Sequence, residues 1–234
     1  MACGCTKTHV DAIVGALGIA PEKHRTLMSK QIDYYFSLIS PWAHMGHARF
    51  IDIARRNALE VRFKPTPLPK VFAETGGLPL LKRAPARQRY RLMELQRWRE
   101  KLKMPFHLRP KYGRFDAALA DCFVLAISAA GHDPDPFVRR GFKAVQEDEM
   151  NLADETVLMQ IADEVGLPGA QLLERARSGE IQAQYEQNYQ DAVAADAIGS
   201  PCYVRGGEVF WGQDRLDLFE DAVTSGRAPF RSDV

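Results

Sequence analysis

Three short stretches carry residue types that could do chemistry. The first is Ser40-Pro41-Trp42-Ala43, directly after the apolar run 31–39 (QIDYYFSLI). Where a strand gives way to a helix in an α/β sheet, reactive groups are exposed. Free amide N–H groups and the helix dipole stabilise negative charge there. A dithiol redox protein would place Cys-x-x-Cys at this position. No cysteine stands here, so dithiol exchange has no nucleophile and the remaining polar atom is the Ser40 hydroxyl. Local sequence leaves two readings open for it: a plain helix N-cap, or a donor to a bound anion.

The second stretch is Ile198-Gly199-Ser200-Pro201-Cys202. A proline before a strand, preceded by Gly-Ser, suits either an ordinary turn or a cis peptide bond. With a cis bond, the Ser200 backbone is open to an extended peptide ligand. The third is Trp211-Gly212-Gln213-Asp214. Gln213 or Asp214 can cap the closing helix, whose free N–H groups could receive a carboxylate, and Asp214 could accept an ammonium.

Other candidates are weaker. His44 and His47 lie three apart with no acid-rich or cysteine partner at metal-ligand spacing, so ordinary helix residues are the better reading and no metal is expected. Cys3, Cys5 and His9 lack a fourth ligand nearby. Cys202 reads as buried and inert. No GxGxxG, P-loop, HExxH or GxSxG motif is present.

The positioning elements follow from periodicity. Residues 31–39 read as a strand, and Trp42, Ala43, Met45, Phe50, Ile53 and Ala54 as a helix capped by Ser40. Pro41 takes its first position, and Arg55 and Arg56 suit its last turn. Residues 59–63 alternate as a second strand, completing a βαβ opening. Leu92, Leu95, Trp98 and Leu102 form a helical stripe after Pro85. Asp116, Asp135-Pro136, Asp154 and Ser178 each open a further helix, the last with Ile181, Tyr185, Tyr189 and Val193 on one face. Cys202 to Arg205 and Glu208 to Phe210 flank Gly206-Gly207 as a hairpin, and Leu216, Leu218, Phe219 and Val223 mark a closing helix. The layout predicts an α/β protein, a thioredoxin-like sheet interrupted by a large all-helical insertion at about 70–195. Residues 1–30 read as an extension outside a domain over 31–234, with Met28 an alternative start.

Composition narrows the function classes. The 234 residues are 46% hydrophobic and 26% charged, which excludes disorder as the main state. Net charge is +1, so no global field draws nucleic acid or an anionic membrane. No apolar run reaches a membrane span of roughly 18 residues. Four scattered cysteines form no disulfide framework, which points to the reducing cytoplasm. From Lys82 to Arg114 there are twelve Lys or Arg and only two acids, Glu94 and Glu100. That run is either a solvated helical face or a basic wall beside a site for an anionic small molecule.

Together, YYFSLISPWAH, ELQRW and IGSPCYVRGGEVFWGQDRLDL resemble the 2-hydroxychromene-2-carboxylate isomerase family. Its kin are the kappa-class glutathione transferases and, further off, the DsbA-like oxidoreductases. The resemblance implies a glutathione-dependent isomerase of aromatic catabolism acting on an aromatic-derived carboxylate electrophile. It implies that Ser40 is catalytic, orienting the sulfur of the glutathione cofactor. It implies that Ser200, Pro201, Trp211, Gln213 and Asp214 bind that cofactor, and that Lys82 and Tyr112 face the small-molecule substrate. Relatives are often homodimers. The same resemblance leaves room for a kappa-like transferase or a non-catalytic thiol- or peptide-binding module. Two departures stand out: the family's VFKxTGN is VFAETGG here, with Ala73 and Gly77 replacing lysine and asparagine, and Ser37 stands where its strand carries aspartate.

Overall fold

A computed structural model describes residues 30–232 of the chain. The extension read over 1–30 lies outside that range except for Lys30, and so do Met28, Cys3, Cys5 and His9. β1 (Gln31–Phe36) leads into α1 (Pro41–Arg56), and β2 (Glu60–Pro65) returns parallel to β1. After a long helical block, β3 (Cys202–Arg205) pairs antiparallel with β1, and β4 (Glu208–Trp211) antiparallel with β3. The sheet order is β2-β1-β3-β4. Gly206 and Gly207 turn the β3–β4 hairpin at φ of 59° and 87°, which side-chain-bearing residues rarely adopt.

The block between β2 and β3 holds α2 (Leu68–Thr75), α3 (Pro85–Leu102), α4 (Ala118–Ala129), α5 (Asp135–Gln146), α6 (Glu155–Glu164), α7 (Gly169–Ala176) and α8 (Gly179–Ala194). α9 (Leu216–Thr224) closes the described chain. This is the expected thioredoxin-like sheet split by a helical insertion. α2 and α7 carry no strong sequence signal, because each has only eight residues and no side-chain N-cap.

From Tyr34 on, β1 is covered on both faces, and that half of its sequence is wholly aromatic. Ile32, Tyr34 and Phe36 join Phe50 of α1, Tyr203 of β3 and Phe219 of α9 in the main core. Tyr35 points the other way, with Cys202, Val204, Val71 of α2 and Ala192 of α8. α4 runs through the interior, with every residue from Ala120 to Ile127 buried.

Two expectations need correction. β1 ends at Phe36, not at residue 39, because the next amides leave the ladder. Ser37 N–H donates to Ser200 Oγ at 3.2 Å and Leu38 N–H to Asp121 Oδ1 at 3.0 Å, while Ser40 N–H closes a turn onto the Ser37 carbonyl at 3.0 Å. The buried stripe of α8 runs Ile181, Tyr185, Asn188, Ala192, with Tyr189 and Val193 only half-buried. Asn188 is inward because its side-chain amide donates to the Pro65 carbonyl at 3.0 Å.

Candidate functional site

The site grows from the β1–α1 junction. Ser40 has extended backbone (φ −84°, ψ 114°), and its Oγ accepts the Ala43 N–H at 3.2 Å. It is thus an N-cap, satisfying one of the free donors of the first turn. The same hydroxyl donates to the Ser200 carbonyl at 3.2 Å. One side chain therefore ties the helix start to the loop before β3. No acid stands in the first turn of α1, and Arg55 and Arg56 occupy its last, so its positive end is not neutralised by its own sequence. Ser40 is 5% exposed and Ser200 is 9% exposed.

The Ser200–Pro201 bond is cis. The Pro201 carbonyl accepts the Gly212 N–H at 2.9 Å, joining this loop to the end of β4. Trp211 lies across Gly199, where a Cβ would stand 2.6 Å from its indole nitrogen, and the indole remains 53% exposed. Ser40, Ser200, Pro201, Gly212 and Trp211 thus form one contiguous cluster, exposed at Trp211.

Gln213 and Asp214 part company. Neither caps α9, contrary to expectation: the 3₁₀ turn Gln213–Arg215 intervenes, and no side chain bonds the α9 start. Gln213 is 1% exposed, and its side-chain oxygen accepts from Arg49 at 3.4 Å. Asp214 is exposed and paired with Arg215 at 2.7 Å. Gly46 of α1 makes this packing possible, since a Cβ there would stand 2.8 Å from both Gln213 Cβ and Tyr203 Oη. Gly46→Ala gains about 1 kcal/mol of helix propensity. The overpacking costs about 1–3 kcal/mol, and both neighbours are buried. The expected result is a melting temperature lowered by a few degrees; an unchanged or raised melt contradicts this packing role.

Beside the α1 start lies a cavity of about 340 Å³ bordered by Ile39 and Pro41, the neighbours of Ser40. Arg89, Arg91, Arg109 and Arg114 line it, drawn from the basic run of the sequence. Burial, then the nearby charges of Arg83 and Arg114, pull Arg91 down to about 10. Lys82 and Tyr112 do not line it themselves. Lys82 ends a 3₁₀ turn whose Leu80 and Leu81 do, and Tyr112, beneath the Lys111 ammonium at 4.9 Å, sits between the bordering Pro110 and Gly113.

Asp121 is the residue that motif reading missed. Its carboxylate lies behind the junction, accepting from Leu38 N–H and, at 3.1 Å, from the Tyr185 hydroxyl. Burial pushes it up to about 7, opposed by the Leu38 amide and the Ser37 and Tyr185 hydroxyls. Ser37 thus has a carboxylate beside it, sent from α4. A lone acid inside ALADCFVLAISA was the available signal.

The histidines are structural. His47 Nε2 lies 2.8 Å from Asp135 Oδ1 and its Nδ1 3.3 Å from Tyr34 Oη. Burial pulls His44 down to about 4, and its Nε2 sits 3.2 Å from Glu147 Oε1 without hydrogen-bond geometry. Among the described residues no group of three His, Cys, Asp or Glu could hold a metal. Cys202 is buried, and desolvation pushes its thiol up to about 12. Among the described residues no helix is long and apolar enough to cross a membrane.

The model of the DSBA-like thioredoxin domain matches residues 31–224. The chain belongs to that family. The chain is 27% identical over 195 residues to the 2-hydroxychromene-2-carboxylate isomerase of Sphingobium xenophagum, spanning 82% of this chain and 97% of that one. It is 24% identical to the isomerase of the same name from Pseudomonas sp. (strain C18), over 85% of this chain and 91% of that one. A solved 2-hydroxychromene-2-carboxylate isomerase superposes with a TM-score of 0.72 at 22% identity, covering 83% of this chain and 95% of its own. These relatives support an isomerase on a DSBA-like frame.

Proposed function

We propose that this protein is a glutathione-dependent isomerase of the 2-hydroxychromene-2-carboxylate type, acting on an aromatic-derived, carboxylate-bearing electrophile. The observation that carries the reading is the Ser40 hydroxyl, placed on a helix N-terminus and hydrogen-bonded to the loop of the cis Ser200–Pro201 bond. Glutathione, when bound, supplies a nucleophilic sulfur that the buried thiols of Cys122 and Cys202 do not offer.

The chain's own residues fit that group. A thiol of ordinary pKa, about 8.5, is mostly protonated at neutral pH. The Ser40 hydroxyl and the α1 N-terminus both favour a negative sulfur, and each unit of lowering corresponds to about 1.4 kcal/mol. To donate to sulfur, Ser40 releases the Ser200 carbonyl, which then becomes an acceptor for a peptide N–H of the ligand. One internal hydrogen bond is exchanged for two to the cofactor. Trp211 offers an exposed ring beside this loop, and Asp214 an exposed carboxylate for an ammonium. Gln213, turned inward, supports the surface rather than touching the ligand. Ser40 orients the sulfur and is not itself the attacking group. The basic cavity next to Ile39 and Pro41 takes the substrate.

The test supplies 2-hydroxychromene-2-carboxylate with and without glutathione, following both the substrate spectrum and the free thiol. The reading expects turnover that needs glutathione and leaves its concentration unchanged. Stoichiometric loss of thiol points instead to a kappa-like transferase, and tight binding without turnover to a binding module.

A further inference from the structure

The cavity at the α1 start carries more positive charge than one carboxylate requires. Arg89, Arg91, Arg109 and Arg114 line it with His107, and no Asp or Glu does. None of the four guanidiniums forms an ion pair or hydrogen bond within the described residues. Elsewhere the same helix behaves differently: Arg97 of α3, facing outward, pairs with Glu94. Arg89, Arg109 and Arg114 are exposed, whereas Arg91 is half-buried, and a half-buried arginine normally finds an acid, because an unpaired charge loses hydration without return. Arg91 instead meets two more positive charges, Arg83 and Arg114. Arg83 is engaged with the Leu78 carbonyl at 2.7 Å and stacks on Phe72, so its charge is held in place.

Leu80, Leu92, Leu108 and Pro110 give the lining apolar walls, with Gln88 and Gln146 as its uncharged polar members. A flat hydrocarbon body suits such walls. A guanidinium fork matches the two oxygens of a carboxylate in one plane. A monoanion would neutralise one of Arg91 and Arg114 and leave the charge of the other unmatched.

We propose that this cavity is a dianion subsite, in which Arg91 and Arg114 each take one carboxylate of an aromatic dicarboxylate lying between the apolar walls. The proposal deepens the isomerase reading by naming the substrate class, and rests on that reading only for placing the cavity beside the reacting sulfur. The substrate would then bear a second acid group beyond the single carboxylate in the relatives' printed names. Arg89 and Arg109, exposed members of the lining, supply field rather than contact and set the salt dependence of binding.

Calorimetry of the full chain, without glutathione, with phthalate and benzoate as probes tests this. Wild type is expected to bind phthalate at least about tenfold more tightly than benzoate, with a steeper loss of affinity as salt rises. Arg91→Gln and Arg114→Gln are each expected to weaken phthalate about tenfold or more and to bring it toward benzoate. Arg97→Gln, on the same helix but outward and paired, is expected to leave both unchanged. Relief of like-charge crowding is expected to make Arg91→Gln melt no lower than wild type, so loss of binding is not loss of fold. Equal affinity for the two probes, no binding of either at millimolar concentration, or an equal loss in Arg97→Gln overturns the subsite. Phthalate selectivity without glutathione-dependent turnover sinks the isomerase reading and leaves the subsite standing. Turnover without phthalate selectivity does the reverse.

Discussion

Ser40→Ala is expected to lower glutathione-dependent turnover by about ten- to a hundredfold while leaving the fold in place. The size follows from one hydrogen bond to a charged sulfur, about 1.5–3 kcal/mol, converted to a rate. The hydroxyl makes two contacts in the unliganded protein, with Ala43 N–H and the Ser200 carbonyl. Losing the cap costs about 1 kcal/mol. Stranding a buried carbonyl costs about as much again. The melting temperature should therefore fall by several degrees, far too little to unfold the chain at assay temperature. Ser40→Thr keeps both the cap and a donor, so it is expected to recover much of the turnover. Parallel measurement of kcat/KM, circular dichroism and melting in the three proteins separates chemistry from stability. Full activity in Ser40→Ala, with a normal melt, would remove the serine from the mechanism.

Much of this site was readable because its parts are local. A Ser-Pro after an apolar run is both an N-cap signal and a helix start, and α1 begins there. Gly206-Gly207 between short apolar segments specifies a hairpin, and β3 and β4 form it. Chain order also gave the architecture, since βαβ, a helical stretch and then ββα leave few ways to build one sheet. What could not be read were the contacts made across long separations. Asp116 is a legible helix-start signal, and its carboxylate does receive the Ala118 N–H at 3.0 Å. Asp121, five residues on, has no local partner, and its role is set by Leu38 and Tyr185, 83 and 64 residues away. The arginines of α3 look like a solvated face by spacing, and their convergence on a cavity with Arg109 and Arg114 depends on how the following loop folds back. Gln213 illustrates the opposite error. Its position after Trp211-Gly212 suggested a cap for the closing helix, but the glycine at Gly46 opens a gap in α1 that the chain fills with Gln213.

The second large effect concerns Asp121 and pH. Its carboxylate is fully buried, and its folded pKa of about 7 lies above the ordinary 3.8. A raised folded pKa means that the native state holds the proton more tightly than the unfolded chain does. The resulting stabilisation is complete below about pH 4 and is lost as pH rises to about 7, above which it is gone. A difference of about three units corresponds to a loss on the order of 4 kcal/mol across that window. Asp121→Asn keeps the shape and one acceptor but cannot ionise. Urea unfolding from pH 4 to 8 is therefore expected to show the variant gaining on wild type steadily through the window, with no further gain above it. Parallel stability curves would contradict the assignment. The same proton reaches the site. Asp121 holds Leu38 N–H, two residues before Ser40, so its ionised form sets a negative charge behind the helix start and works against the thiolate proposed there. Like charges raise the cost of ionising the sulfur. Removing that charge in Asp121→Asn is expected to shift the alkaline-activating limb of turnover to lower pH, by an amount that added salt barely changes because the group is buried. An unshifted limb alongside a flattened stability curve would confine Asp121 to holding the fold.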